Sequence, residues 1–220
     1  MIAYKFLKRG AVGRFSGYRW MTPTPSSAGE WLSSEGELHL CGKGIHACTT
    51  QHLPYWIDDE LWIAELEDPV TAEGEMVLSH RGRLLGQIDA WNMISQRAFG
   101  EICAWRTRDI AIGALREQEL GHAAGKFALC QSLTDLERLT SEVATGDRDL
   151  PDHIVGYVAD AVQLALNCVP EVAAYVAAHA AGYVAAHGRT KGPDYRFGVV
   201  KERRLQALWL NAALNLTHGQ

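Results

Sequence analysis

The chain has 220 residues, 47% of them hydrophobic and 21% charged, and its formal net charge is −5. This composition is typical of a globular protein with a sizeable core and excludes a disordered chain. The negative charge argues against a general nucleic-acid binder, because neutralising phosphates requires a basic surface.

The first 89 residues predict a small, mostly antiparallel sheet. Short β-forming runs alternate there with Gly, Pro and Ser, and strands are predicted at 3–7, 16–20 and 61–66. Two hairpins are also predicted, one pairing 37–41 with 45–49 and one pairing 75–78 with 84–88. In the strand at 61–66, side-chain alternation places Trp62, Ala64 and Leu66 on one side, which is expected to face the core.

From residue 90 onward the hydrophobic period is helical, and helices are predicted at about 90–117, 122–145 with a break, 152–168, 170–187 and 195–215. Three- and four-residue spacings predict one buried stripe on the first helix and one on the last. The first stripe comprises Trp91, Ile94, Ala98, Ile102 and Trp105, and the second comprises Val199, Leu205, Leu208, Trp209 and Ala212. These patterns predict an α+β fold, in which a β-rich domain at 1–89 packs against a bundle of about five helices at 90–220 as one globular unit.

The Ala-rich helix at 170–187 carries a local repeat. Tyr175-Val176-Ala177-Ala178-His179 recurs eight residues later as Tyr183-Val184-Ala185-Ala186-His187. Small residues at this density let helices approach closely, so tight helix packing is one interpretation. A polar track of Tyr and His that lines a cavity is the other.

Residues 41–56 concentrate reactive and recognition side chains more than any other part of the chain. The segment begins Cys-Gly-Lys-Gly-Ile-His-Ala-Cys and ends Leu53-Pro54-Tyr55-Trp56. His46 is the leading catalytic candidate, because a neutral imidazole exchanges protons near pH 7. Tyr55 and Trp56 are candidate substrate-binding residues whose rings would stack on a planar ligand. A structural histidine and core packing of the two rings are the alternatives.

The same segment offers metal ligands only in an unusual arrangement. In the predicted hairpin, His39, Cys41, His46 and Cys48 share one face, and such side chains bind zinc in principle. The spacing Cys-x4-His-x-Cys is not a standard zinc pattern, and a one-residue slip in register would separate the ligands. A buried thiol pair beside a structural histidine fits better, so we expect no metal.

Charged residues elsewhere complete the candidate site. Glu101 lies in the first predicted helix and is a candidate catalytic base, with an exposed ion pair to Arg97 as the alternative. Arg81 and Arg83 flank a glycine and are candidate ligands for a substrate carboxylate or phosphate. The run Asp58-Asp59-Glu60 indicates a solvated loop. Nucleotide-binding, hydrolase and zincin signatures are absent from the sequence, which disfavours those classes.

With these residues in view, the chain resembles a largely uncharacterised bacterial family that is common in actinobacteria. The shared signature is Cys41-x-x-Gly44-Ile45-His46-Ala47-Cys48 followed by Leu53-Pro54-Tyr55-Trp56-x-x-Asp59-Glu60-Leu61-Trp62. The Arg81-Gly82-Arg83 turn and the terminal Glu202-Arg203-x-x-Gln206-Ala207-x-Trp209-Leu210 extend the similarity over most of the chain. The resemblance implies a shared fold and no particular activity.

A weaker resemblance is to the ADP-ribosyltransferase superfamily. Tyr4-Lys5, then Gly44-Ile45-His46-Ala47-Cys48, then an aromatic stretch and the strand at 61–66 follow a similar layout. The likeness implies NAD binding, with Tyr4 as the early-strand ligand, Tyr55 against the nicotinamide and Glu75 or Asp89 as the late acid. The glycine expected beside the early-strand residue is absent, since Phe6 follows Tyr4-Lys5.

Three functions are compatible with these patterns. The first is a small-molecule enzyme without a tightly bound cofactor, in which His46 and a carboxylate exchange protons on a planar or aromatic substrate. Condensation, cyclisation and lyase reactions need no more than this. The second is an ADP-ribosyltransferase-like NAD-binding protein, and the third is a non-catalytic interaction module that forms a homodimer through its Ala-rich helices.

The sequence also predicts the cellular location and the kind of partner of the protein. It contains no apolar run of about 18 residues, so no membrane partner is expected. The N-terminus lacks the pattern of a signal peptide, and the cysteines are odd in number: 41, 48, 103, 130 and 168. Free thiols in a reducing cytoplasm are the natural interpretation. We therefore expect a cytoplasmic protein whose partner is a small-molecule ligand and not nucleic acid.

Overall fold

The computed structural model describes residues 1–39, 42–146, 152–187 and 194–216. The chain divides into two compact units, one of residues 1–92 with 207–220 and one of residues 93–206. The described strands all end before residue 88, and the described α-helices all begin after residue 92. The predicted α+β class is therefore confirmed.

Two antiparallel sheets form the first unit. The larger contains β1 (Ile2–Leu7), β2 (Leu32–Ser33), β4 (Glu60–Leu66) and β7 (Arg81–Gln87), in the order β1-β4-β7-β2. The smaller contains β3 (Ile45–Ala47), β5 (Thr71–Glu73) and β6 (Met76–Ser79), in the order β3-β6-β5. A short 3-10 helix, Thr50–Tyr55, follows β3.

The inner faces of these strands make the core of the first unit. The β1–β4 register places Ala3 opposite Ala64 and Lys5 opposite Trp62. Alternation then turns the same side of both strands inward, as predicted for the strand at 61–66. The buried cluster draws on both sheets and comprises Ala3, Leu7, Ala11, Trp20, Ile45, Ala47, Trp62, Ala64, Leu66, Val77 and Leu84.

Several predicted strand pairings are wrong. β3 pairs with β6 and not with the segment at 37–41, of which Leu40 and Cys41 lie outside the described residues. The segments predicted to pair at 75–78 and 84–88 form β6 and β7, which belong to different sheets. Residues 16–20 form turns and isolated bridges instead of a strand. β6 is buried along its whole length, and it pairs with β5 through the tight turn at Gly74-Glu75 and with β3 on its other side.

The acidic run Asp58-Asp59-Glu60, which ends at the first residue of β4, anchors a loop, and of its three side chains only Asp59 is fully exposed. Glu60 Oε1 accepts the N–H of Gly10 at 2.8 Å, and Oε2 accepts the N–H of Ala11 at 3.0 Å. The Trp62 indole also donates to Oε2, at 3.1 Å. Asp59 accepts the N–H of Arg9 at 3.0 Å, and Asp58 forms an ion pair with Arg14 at 2.8 Å. The solvated loop expected from the sequence is thus a clamp on the turn that follows β1.

We expect Glu60→Ala to lower the free energy of unfolding by about 2 kcal/mol, because backbone donors near the core would lose a charged acceptor. Urea unfolding followed by far-UV circular dichroism measures the change. Glu35→Ala is the matched control, since Glu35 is exposed and a surface substitution is expected to cost less than about 0.5 kcal/mol. Equal effects of the two substitutions would show that the clamp contributes nothing.

Six α-helices are described after residue 92. They are α1 (Met93–Glu117), α2 (Gly121–Leu129), α3 (Leu133–Gly146), α4 (Asp152–Leu166), α5 (Pro170–His187) and α6 (Tyr195–Ala213). The predicted break within 122–145 is confirmed between α2 and α3. Ser132 and Asp135 explain it with a capping box, in which each side chain accepts the backbone N–H of the other at 3.0 Å.

The predicted buried stripes on the first and last helices are wrong. Ile94 is 83% exposed and Leu208 is 57% exposed. α1 instead buries mainly small residues, and α6 buries polar ones. The buried positions of α1 include Phe99, Cys103, Ala104, Thr107 and Ala111, and those of α6 include Glu202, Arg203, Gln206 and Ala207. The spacing rule assumes that large apolar residues face inward, and these helices pack through other types.

Two glycines let α5 and α6 touch at the level of their backbones. A Cβ atom on Gly198 would lie 2.4 Å from the Ala181 carbonyl oxygen and 2.8 Å from Gly182 Cα. A Cβ atom on Gly182 would lie 2.7 Å from Val199 Cγ2. Real Cβ atoms essentially never come within 3.0 Å of another heavy atom, so this crossing requires glycine on both helices.

The last helix is shared between the two units. Its residues up to 206 belong to the helical unit, and the rest belong to the first unit. There Leu210 and Leu214 are buried, and the Asn211 side-chain amide donates to the Thr50 carbonyl oxygen at 3.4 Å. Within the described ranges, no helix has the length and apolar character needed to cross a membrane.

Candidate functional site

His46, the leading catalytic candidate, lies in the middle of β3 and pairs with Leu78 of β6. Its neighbours Ile45 and Ala47 belong to the core, so alternation turns the half-buried imidazole to the other side. Nε2 lies 3.1 Å from the His39 carbonyl oxygen. This bond requires the proton on Nε2, since a carbonyl oxygen can only accept. The ring is thereby fixed to the backbone of its own loop.

Glu101, the predicted base, belongs to the helical unit, whereas His46 belongs to the first unit. Its carboxylate pairs with Arg97 at 3.2 Å, one turn earlier on α1, and both side chains are largely exposed. This is the geometry of the surface ion pair that the sequence offered as the alternative. Such an exposed pair contributes at most about 0.5 kcal/mol to stability.

Arg81 and Arg83, the predicted substrate ligands, already hold carboxylates of the chain. Arg81 Nη1 donates to both carboxylate oxygens of Glu67, at 2.8 and 3.1 Å. Arg83 donates to Glu65 on the neighbouring strand at 2.7 Å. Both guanidinium groups lie over the Trp31 ring, 5.1 and 4.6 Å from its centroid. The guanidinium groups assigned to a substrate anion thus form a cross-strand ladder with glutamates.

The predicted aromatic pair follows β3. The Trp56 indole N–H donates to the Glu75 carbonyl oxygen at 3.0 Å, and the Tyr55 ring centroid lies 6.2 Å from that of His52. Both rings are half-buried, so each combines packing with an accessible portion. Glu75, one of the two late acids that the ADP-ribosyltransferase layout implies, lies in the turn just before β6 and makes this contact through its backbone.

Tyr4 and Cys48 connect β1 to the end of β3. The N–H of Tyr4 donates to the Cys48 carbonyl oxygen at 2.8 Å, and the N–H of Cys48 donates back to Tyr4 at 2.7 Å. The Tyr4 side chain is 8% exposed, and burial followed by the neighbouring Cys48 raises its pKa. This bridge places Lys5, the next residue of β1, beside the segment that the sequence singled out.

Lys5 is the residue that the sequence interpretation missed. Its ammonium donates to the carbonyl oxygen of His46 and lies 5.0 Å from the centroid of the Trp20 ring. Its position between Ala3 and Leu7 turns it toward the inner face of the sheet, where the side chain is half-buried. Within the described part of the chain, Lys5 has no ion-pair partner. The sequence did contain a signal for this residue, namely a charged side chain at a strand position that alternates with the apolar Ala3 and Leu7.

The surroundings of Lys5 change its protonation. Desolvation by burial lowers the pKa of Lys5 to about 8, against a smaller opposing effect of Cys48. Burial raises the pKa of Cys48 to about 12, which the Lys5 charge only partly offsets. At neutral pH the thiol is therefore protonated and unreactive, whereas about a tenth of Lys5 is a free amine at pH 7.

The helical unit contains a separate buried polar cluster. Arg106 Nε lies 3.0 and 3.3 Å from the two carboxylate oxygens of Glu202, whose side chain is 1% exposed. Desolvation raises the pKa of Glu202, more than the nearby Arg106 lowers it. Arg203 donates to Gln206 at 3.1 Å, and Gln206 donates to the Ala174 carbonyl oxygen at 2.9 Å. Every described hydrogen bond here joins one helix to another or closes a turn, as in a structural network.

The alanine-rich repeat of α5 shows both of its predicted features. Ala177 and Ala178 are fully buried, while Tyr175 and His187 are exposed and His179 and Tyr183 are half-buried. Tyr175 and His179 have ring centroids 3.8 Å apart, and Tyr183 and His187 stack at 4.3 Å. A shallow hollow beside them is lined by Tyr183, His187, Glu117 and other residues of α1, α4 and α5.

The described residues contain no group of three or more His, Cys, Asp or Glu side chains placed to hold a metal ion. Cys41, one of the four predicted ligands, lies outside the described residues, and Cys48, Cys103, Cys130 and Cys168 are free thiols. No family model, curated protein or solved structure matches the chain. The resemblances to the actinobacterial family and to the ADP-ribosyltransferases stay predictions.

Proposed function

We propose that the protein is a small-molecule enzyme without a tightly bound cofactor and that Lys5 carries its acid–base chemistry. One observation supports this above all: a half-buried ammonium lies against an indole face and a backbone carbonyl, and among the described residues it forms no ion pair with a carboxylate. In this proposal His46 contributes its backbone carbonyl to the site, and Glu101 has no catalytic part.

The energetic argument compares Lys5 with the other cations of the same sheet. Arg81 and Arg83 each hold a glutamate, so their charges are compensated within the chain. Lys5 instead loses hydration without gaining an opposite charge, which costs free energy whenever the amine is protonated. A neutral side chain at this inward position would avoid that free-energy cost. Titratable residues that a protein retains in such unfavourable surroundings are often functional.

The chemistry follows from where the amine titrates. A group that changes protonation near the working pH is suited both to remove and to return a proton. The Trp20 ring beside Nζ, and Trp62 opposite Lys5 in the β1–β4 register, are buried rings that make the surroundings of the amine planar and apolar. Condensation, cyclisation or lyase reactions on a planar or aromatic compound fit this combination.

A titration of the lysines tests the proposal first. With the side chains labelled with ¹³C at Cε, Lys5 is expected to titrate with a midpoint near pH 8 by NMR. Lys8, which follows on the same segment and is exposed, serves as the internal control. A Lys5 midpoint equal to that of Lys8 would remove the basis of the proposal.

A ligand screen by thermal shift is the second test. Metabolites with a planar carbonyl, carboxyl or aromatic group, and NAD as a separate probe, are compared on the wild-type protein and on Lys5→Met. A true ligand of this site is expected to raise the melting temperature of the wild type only, because a ligand stabilises the state that binds it. Ligands that stabilise both proteins equally would place binding elsewhere and contradict the proposal.

A further inference from the structure

We propose that Lys5 forms an imine with a small aldehyde or ketone, so that the substrate class of this site is a carbonyl compound with a planar or apolar body. This inference rests on the proposed function and adds the covalent role of the amine. The evidence is the position of Nζ on the inner face of the sheet, against Trp20 and the His46 carbonyl oxygen.

The surroundings of Nζ suit an iminium ion as well as they suit an ammonium ion. A protonated imine still carries one N–H, which can keep the hydrogen bond to the His46 carbonyl oxygen. Its positive charge stays over the Trp20 face, where a cation is attracted by the ring quadrupole. The absence of a carboxylate partner in the described surroundings matters equally, because such a partner would hold the amine in its protonated, unreactive form.

The reaction is a condensation in two steps. The free amine of Lys5 attacks the carbonyl carbon, a C–N bond forms, the C=O π pair moves to oxygen, and a proton passes from nitrogen to that oxygen. The carbinolamine then takes one proton from solvent on its oxygen, the C–O bond breaks, and water leaves. Overall, the amine, the carbonyl compound and one proton are converted to an iminium ion and water. The reaction needs no oxidant or reductant.

Cys48 and Lys8 of the first unit are less suited to this step. The buried Cys48 thiol stays protonated at neutral pH. Lys8 lies on the same segment and is exposed, so it serves as the reference amine for Lys5, whose Nζ lies against Trp20 and the His46 carbonyl oxygen. Selectivity between Lys5 and Lys8 is therefore a direct measure of the inference.

Reductive trapping on the folded wild-type chain tests it. The protein is incubated at about pH 7 with benzaldehyde or glyceraldehyde and cyanoborohydride, which delivers hydride to the iminium carbon and leaves a stable secondary amine. Peptide mapping by mass spectrometry then locates the adduct. We expect at least about tenfold more adduct on Lys5 than on Lys8 at short times, and loss of this preference when the chain is unfolded in urea.

Two variants separate the possible outcomes. Lys8→Arg should leave the labelling at residue 5 unchanged, and Lys5→Arg, checked for folding by its melting curve, should remove the fast adduct. Equal labelling of Lys5 and Lys8 overturns the imine. If Lys5 nevertheless titrates near pH 8, acid–base chemistry at Lys5 survives and only the covalent step is lost, whereas an ordinary titration removes both.

Discussion

Gly198→Ala should destabilise the helical unit by about 3 kcal/mol, the largest effect that we expect from adding one methyl group to this protein. The new Cβ would lie 2.4 Å from the carbonyl oxygen of Ala181 and 2.8 Å from its carbonyl carbon. Both atoms belong to the backbone of α5, so they cannot rotate away as a side chain would. The two helices must separate, and the contacts around the crossing would be lost with them.

Gly113→Ala provides the matched control for this substitution. Gly113 also lies inside a helix, α1, but a Cβ atom there meets nothing within 4 Å. Removing a helical glycine without a clash should stabilise the protein by up to about 1 kcal/mol. In urea unfolding, the two variants should change the free energy of unfolding in opposite directions if the helix crossing is as close as described. Two changes of the same sign would contradict a backbone contact between α5 and α6.

Arg106→Met is expected to cost about 2 kcal/mol at neutral pH, because it leaves the carboxylate of Glu202 buried without its counter-charge. The Glu202 side chain is 1% exposed, whereas Arg106 is 33% exposed and therefore partly screened by solvent, which limits the loss. Arg97→Met on the same helix is the control. Its partner Glu101 is 41% exposed, so breaking that pair should cost at most about 0.5 kcal/mol.

The cost of Arg106→Met should depend on pH in a defined direction. Burial raises the pKa of Glu202 in the folded state, so the folded protein holds this proton more tightly than the unfolded chain does. Protonated Glu202 therefore contributes its full stabilisation below the ordinary glutamate pKa, and this contribution is lost as the pH rises through the pKa of Glu202 in the folded protein. Without Arg106 the folded pKa rises further. The deficit relative to wild type should shrink toward about pH 4 and reach its full size near neutrality.

Glu202→Gln tests this assignment, because it removes the charge while keeping a similar shape. Adding this change to Arg106→Met should recover part of the lost stability, since no buried carboxylate then remains uncompensated. Unfolding free energies of the two single variants and the double variant, measured at about pH 4 and pH 7.5, complete the cycle. A loss from Arg106→Met that is constant across pH would show that packing and not charge explains it.

The helix boundaries could be predicted because strong local patterns specify them. The predicted helix at 170–187 matches α5 from Pro170 to His187, where a proline at the start and the end of an apolar pattern mark both limits. β4 was predictable for a similar reason, since alternation of Trp62, Ala64 and Leu66 is a local property. Strand partners are not local, and β3, with three residues, carries too little pattern to specify its neighbour.

The site that we propose lies beside the segment at 41–56 that the sequence singled out, but it depends on Lys5 instead of His46 and Glu101. The sequence drew attention to His46 and Cys48 through their residue types, and the structure adds the unremarked Lys5 beside them. A lysine on a strand is usually interpreted as a surface residue, although alternation with Ala3 and Leu7 already places Lys5 on their side, which the sheet register turns inward. For Arg81 and Arg83, partners 14 and 18 residues away in sequence decide whether the charge is available.

The shared last helix has a consequence for how the protein is made. Residues 1–92 leave the ribosome before the helical unit, yet their unit also contains residues 207–220, which are synthesised after it. Leu210, Leu214 and the Asn211 contact to Thr50 are missing until then. The first unit therefore cannot complete its folding until the helical unit has been synthesised. Residues 1–92 expressed alone should fail to form the complete hydrophobic core of this unit.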